Sequence, residues 1–147
     1  MKNSQLDEEF EAKLLSGGVY QKREPEYKIH VPINFIKYNK YSVNEKILYQ
    51  YLWTFGITKM YSYPSQESIT KDLGLSRTTI WRTLKDLENH NGLYIISRYD
   101  SKTGKKLHNL YYLAQINKDG SFDKNSLDIV KFRFPTKKYC VNFHSSN

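Results

Sequence analysis

The stretch YPSQESITKDLGLSRTTIWRTLKDLENHNG, residues 63–92, decides how the rest of the chain is read. It holds two helix-start signals, Ser65 and Ser76, each a serine able to accept a hydrogen bond from the first turn that follows it. After Ser65, Ile69 and Leu73 recur at helical spacing, which predicts a short helix over 66–73. Gly74 then offers the left-handed conformation that a tight bend requires, and Leu75 turns back toward the core. From Ser76 a second helix is predicted over 77–89, with Ile80, Leu84 and Leu87 inward and the Asn91-Gly92 pair ending it. Its outward face carries Arg77, Thr78, Trp81, Arg82 and Lys85, with no acid among them.

Two short helices joined by a glycine turn make a helix-turn-helix, in which the second helix offers its free face to a DNA major groove. Arg pairs bidentately with guanine edges, and Thr78 or Thr79 suits a thymine methyl or a phosphate. Ser65, Gln66 and Ser76 stand at helix starts, where free N–H groups suit phosphate oxygens. Trp81 has two readings, stacking on a sugar or base and packing against neighbouring protein. The bland reading of the cations is a solvated helix face, and the missing acids weigh against it.

Downstream, LYIISRY (93–99) and LHNLYYL (107–113) are rich in β-branched and aromatic residues and flank the polar loop DSKTGKK. Arg98, Lys102, Lys105 and Lys106 face a single acid, Asp100, so the hairpin reads as a basic wing placed for backbone phosphates or a minor groove. Upstream, Ser42 and Glu45 form a capping box. Ile47, Leu48, Tyr51, Leu52 and Phe55 follow at helical spacing, with Gly56 as the stop. The fold class expected is α+β: a winged helix-turn-helix with a three-helix core, a β-hairpin wing and a short C-terminal β extension.

Charge agrees with that reading. The chain has 147 residues and a net charge of +8. Residues 1–28 hold five Lys/Arg and six Asp/Glu, so residues 29–147 hold 18 basic and 9 acidic residues, a net of +9. Such an excess on one small domain attracts polyanions. The single cysteine, Cys140, excludes an intrachain disulfide and suits a reducing cytoplasm. No apolar run approaches the ~18 residues of a membrane span.

Residues 63–113, led by YKIHVPINFIKYNKYSVNEKILYQYLW (27–53), closely resemble the winged helix-turn-helix domains of low-GC Gram-positive plasmid and phage proteins. The resemblance rests on Pro-Ser before the first helix, the Leu-Gly-Leu-Ser turn, the Ser-Arg-Thr start and the Gly-Leu-Ile-like strand that follows. The lead-in is similar to that of plasmid replication initiators and replisome organisers. The resemblance implies a reading face of Arg77, Thr78, Thr79, Arg82 and Lys85, with Lys102, Lys105 and Lys106 in the wing. Trp81 departs from it, since such domains commonly carry Arg or another polar residue there.

Outside this region, residues 1–27 read as a flexible or partly helical tail or partner-binding segment, with Leu6, Phe10, Ala12, Leu14 and Leu15 as its apolar positions. Tyr27, Ile29 and Val31 alternate until Pro32, suggesting a short edge strand or extended segment. The DNA-binding domain is expected over 28–116. Residues 117–147 form a C-terminal extension, and alternation over 129–134 and 139–143 suggests a hairpin or two extended segments. Their aromatic side would pack on the winged domain or on a second copy, as a dimerisation element.

The scattered His30, His90, His108 and His144, with one cysteine, argue against a metal site. Asp119, Asp123 and Asp128 read as solvated acids of a polar linker. No phosphate-cradling glycine motif is present, so neither cofactor nor enzymatic activity is expected. The 34 residues after Leu113 are too few for an effector domain, so no small-molecule effector is expected. The function expected is sequence-specific binding of double-stranded DNA in plasmid or phage replication initiation or its control. A transcriptional repressor using the same residues is the first alternative. The second is a replisome protein-interaction module with only nonspecific DNA binding. Partners are therefore duplex DNA, and a second copy or replisome proteins.

Overall fold

The computed structural model describes residues 31–54, 61–62 and 64–141. The expected tail over 1–27, the alternation at Tyr27 and Ile29, the helix end at Phe55 and Gly56, and Phe143 lie outside the described residues.

Pro32 ends the expected extended run, nearly all of which lies outside the described residues, and a helix that the sequence reading did not foresee follows it. Pro32 precedes a five-residue helix, α1 (Ile33–Lys37). The proline ring fixes φ at −59° and its carbonyl accepts from the Phe35 N–H at 2.9 Å, so the residue that breaks a strand starts a helix. Phe35 is the inward anchor.

Helix α2 (Val43–Trp53) begins with the expected capping box: Glu45 N–H donates to Ser42 Oγ and Ser42 N–H to Glu45 Oε1, both at 3.1 Å. Its buried side is rotated from the expected one. Leu48, Tyr49 and Leu52 are fully buried, Ile47 is exposed, and Tyr51 is half-buried with its hydroxyl donating to Asp72 at 2.7 Å. Tyr49 wins the interior because its hydroxyl reaches the Ala114 carbonyl, which satisfies the polar tip. Burial raises its pKa well above the ordinary tyrosine value.

Helices α3 (Gln66–Leu73) and α4 (Arg77–Asn89) match the sequence reading closely. Ser65 Oγ accepts from the Ser68 N–H at 3.0 Å, and Ser76 Oγ from the Thr79 N–H at 3.1 Å. Gly74 sits at φ 68°, a conformation glycine adopts without strain. Ile80, Thr83, Leu84 and Leu87 form the inner face of α4, which packs on α2 and α3.

Four strands form one sheet in the order β1 (Tyr61–Ser62), β3 (Leu110–Leu113), β2 (Leu93–Asp100), β6 (Lys138–Val141). β3 runs antiparallel to both neighbours, with Ile95 opposite Tyr111. β2 does not alternate: Leu93 to Ile96 are all buried, which means both faces of the sheet are covered there. Helices cover one face. The C-terminal segment reaches the other, where the Tyr94 hydroxyl donates to the Phe134 carbonyl at 2.6 Å.

That segment departs from the expected hairpin or pair of extended segments. Residues Lys124–Leu127 form a 3-10 turn running into α5 (Asp128–Arg133), because Leu127, Val130 and Phe134 recur at spacings of three and four and are the buried set. Only the second run is a strand. It lies parallel to β2, pairing Ser97 with Lys138 through Asp100 with Val141, after a crossover that includes α5. Of its aromatic residues, Phe134 is buried against the chain's own domain and meets Tyr139 with the rings 5.5 Å apart, whereas Phe132 is 84% exposed.

Around Asp119 and Asp123, where a polar linker was expected, the chain forms a second hairpin of β4 (Gln115–Ile116) and β5 (Phe122–Asp123). Its Phe122 stacks on Tyr41 at 4.5 Å and meets Phe35 and Tyr49. Gly120, at φ 96°, lies so close to α1 that an added Cβ would sit 2.2 Å from the Asn34 carbonyl oxygen. The hairpin therefore clamps α1 onto the core.

Candidate nucleic-acid interface

Once Ile80, Leu84 and Leu87 are inward, the helical period forces Arg77, Thr78, Trp81, Arg82 and Lys85 outward, and all five are exposed. Arg77 and Arg82 have no carboxylate partner among the described residues. Lys85 differs: its ammonium lies 3.2 Å from Glu88 Oε1 and 5.4 Å from the Trp81 ring. Trp81 is 42% exposed, so of its two readings the structure leaves the ring open to a ligand on one side. Thr79 is half-buried, and its hydroxyl accepts from Ser76 Oγ at 2.9 Å. That residue and Ser76 are thus occupied in forming the helix start.

At the start of α3, Ser65 Oγ donates to Ser68 Oγ at 2.9 Å, so its hydroxyl is also committed. What remains for an anion is the backbone N–H groups of the first turn, beside the exposed acid Glu67. This turn lines an open cleft of about 240 Å³ together with Arg77 of α4 and with Lys106 and His108 from the wing loop. Helix start, recognition-helix arginine and wing lysine therefore converge. Tyr111 closes the cleft, and burial pushes its hydroxyl up to about 12, so it stays a neutral hydrogen-bonding group.

The wing loop is built around Asp100. Its carboxylate accepts the Lys102 N–H at 2.9 Å, and its carbonyl accepts the Gly104 N–H at 2.8 Å. Lys102, Lys105 and Lys106 are left exposed, with Lys106 Nζ donating to Asn109 Oδ1 at 2.9 Å. Arg98 corrects the expectation placed on it. It is only 3% exposed, with Nη1 3.5 Å from the His108 carbonyl, and is therefore not offered to a ligand. The parallel pairing sets Arg98 beside Tyr139, so the C-terminal strand is what turns this arginine into an interior residue at the wing's base.

Glu88 was not expected in any role. It accepts from Lys137 Nζ through Oε2, from the Ile95 N–H at 3.0 Å and from Lys85 at 3.2 Å. Burial alone would raise its pKa, but these three donors outweigh burial and hold it below the ordinary glutamate value. The residue after α4, His90, places Nδ1 2.6 Å from the buried Glu45 carboxylate. The i,i+3 pair with Lys85 is local, but nothing local in the sequence signals Lys137, 49 positions away.

Residues 42–91 match the family model of a helix-turn-helix domain. The match runs from the cap of α2 to the end of α4, so the wing and everything after it lie beyond it. The chain thus carries a helix-turn-helix domain followed by a small mixed sheet, and such a domain points to DNA as partner. A comparison with curated proteins finds no match. Among the described residues, no helix is long and apolar enough to cross a membrane.

Proposed function

We propose that the protein binds double-stranded DNA sequence-specifically and serves the initiation of plasmid or phage DNA replication, or its control. Helix α4 enters the major groove, where Arg77 and Arg82 take guanine edges and Thr78 and Trp81 make apolar or stacking contacts. Lys102, Lys105 and Lys106 follow the flanking backbone, and the first turn of α3 takes a phosphate. The protein acts by binding alone. One observation carries the proposal: Arg77 and Arg82 are exposed without a carboxylate partner among the described residues, and Arg77 shares its cleft with Lys106 of the wing.

The replication role is supported by the resemblance of residues 28–113 to initiator and replisome-organiser domains. It is also supported by residues 115–141, which are built into the sheet and the aromatic cluster rather than into a separate effector-binding unit. Selection from a random duplex pool tests the proposal. The expected consensus recurs as repeats at a replication origin. Arg77→Ala should lose about 1–3 kcal/mol on that consensus and little on random duplex. Equal losses on both duplexes overturn the reading face, and a consensus confined to a promoter transfers the protein to transcription.

A further inference from the structure

Helices α1 and α2 leave four aliphatic side chains in water. Ile33 and Val43 are 68% and 69% exposed, and Ile36 and Ile47 are exposed as well. Ile33 and Ile36 lie one turn apart on α1, and Val43 and Ile47 one turn apart on α2. The Lys46 ammonium donates to the Ile36 carbonyl at 2.7 Å, which sets the two outer faces side by side. Single exposed aliphatics need no explanation, but four together on adjoining helices mark a contact surface. The surface adjoins the C-terminal end of α4, where Tyr41 and Glu45 meet His90. Arg77 stands at the other end of that helix, roughly 20 Å away, so an occupant leaves the reading face free.

The rim of this surface selects the occupant. Lys37 and Lys46 flank it, while Glu45, the acid of α2, is turned inward onto His90. Lys40 lies near Asp119, whose pKa it helps to lower after the hydrogen bonds from Ser121. A second copy docking through the same face would bring one lysine-bearing rim against another, with no exposed acid on either helix to answer it, which like-charge repulsion opposes. The occupant must be apolar and acidic together. Within this chain, residues 6–15, LDEEFEAKLL, have that composition: Leu6, Phe10 and Leu14 at spacings of four, with Asp7, Glu8, Glu9 and Glu11 against the single Lys13. The 15 residues between this segment and Val31 span up to roughly 50 Å when extended, and the tether keeps the effective concentration high.

We propose that residues 6–15 dock in cis on the α1–α2 face, with Leu6, Phe10 and Leu14 on its aliphatic side chains and the acids toward Lys37 and Lys46. The inference stands apart from the DNA reading, since it concerns the opposite end of the domain. Zero-length carbodiimide cross-linking of the full chain, mixed from unlabelled and fully ¹⁵N-labelled protein, tests it by mass spectrometry. Cross-links from Glu8, Glu9 or Glu11 to Lys37 or Lys46 are expected within single chains. Phe10→Ser with Leu14→Ser keeps every charge and should abolish them. Cross-links joining the two isotopic forms would overturn the proposal in favour of a second copy. Absent cross-links, or cross-links that survive the double substitution, overturn it too.

Discussion

The two halves of α4 are built for different tasks. The N-terminal half shows Arg77, Thr78, Trp81 and Arg82 to solvent, and among the described residues no acid answers the two arginines. The C-terminal half is tied down. Glu88 joins it to β2 through the Ile95 N–H and to the C-terminal segment through Lys137, and His90 joins it to Glu45 of α2. A helix held at one end by three separate elements can offer its other end in a fixed orientation. This is what base-edge contacts need, because a bidentate pair tolerates little angular error. Charge is thus divided by position: compensated where the helix is anchored, uncompensated where it would read.

The strongest way to break this division is to remove the packing under both halves. Leu84 is fully buried at the middle of α4, so Leu84→Ala should lower unfolding stability by about 2–5 kcal/mol in urea titrations. A loss below about 1 kcal/mol would mean that α4 is not packed as described. Glu88→Gln acts on the anchored half alone. It removes the charge from the bonds to Lys137 and Lys85, and the loss expected is about 1–3 kcal/mol. Because Glu88 is held below its ordinary value of 4.5, its contribution is present above that pH and fades as pH falls through the folded-state value. The stability gap between the native chain and Glu88→Gln should accordingly shrink in acid. A gap that stays constant from neutral pH to below 4 would show that the carboxylate charge contributes nothing.

How much of this was legible depended on how local each signal is. The α3–α4 unit was readable because each part is specified within four residues: Ser65, Gly74 and Ser76 as caps and turn, with Ile69, Ile80 and Leu84 as the inner set. The rotation of α2 was not, because Ile47 and Tyr49 both fit a helical stripe and the choice was made by the distant Ala114 carbonyl. The β4–β5 hairpin left a usable signal in Asp119-Gly120, a dipeptide that favours tight hairpin turns. For α5, alternation and helical spacing coexist in LDIVKFRF, and burial of Leu127, Val130 and Phe134 decided between them. Arg98 was misplaced, and the anchoring role of Glu88 missed, because both depend on the distant C-terminal segment, Arg98 on the strand that pairs it with Tyr139 and Glu88 on Lys137, which no local pattern announces.

The smaller effects sharpen the contrast within α4 itself. Lys85 lies at the boundary, exposed like the reading residues yet paired with Glu88. Its substitution should therefore matter less than that of Arg77: Lys85→Ala is expected to weaken specific duplex by under about 1 kcal/mol. If Lys85→Ala matched Arg77→Ala in fluorescence anisotropy titrations, the reading region would extend into the anchored half. The wing supplies the least specific contrast. Lys105 is exposed and its side chain has no partner among the described residues, so its contribution is one counterion released from the duplex. Lys105→Ala should weaken consensus and random duplex alike and reduce the slope of log Kd against log salt by about 0.9. An unchanged slope would place Lys105 off the backbone and leave Lys102 and Lys106 as the wing's contacts. A change of preference among sequences would instead make the wing a reader, and the division of labour between helix and hairpin would have to be redrawn.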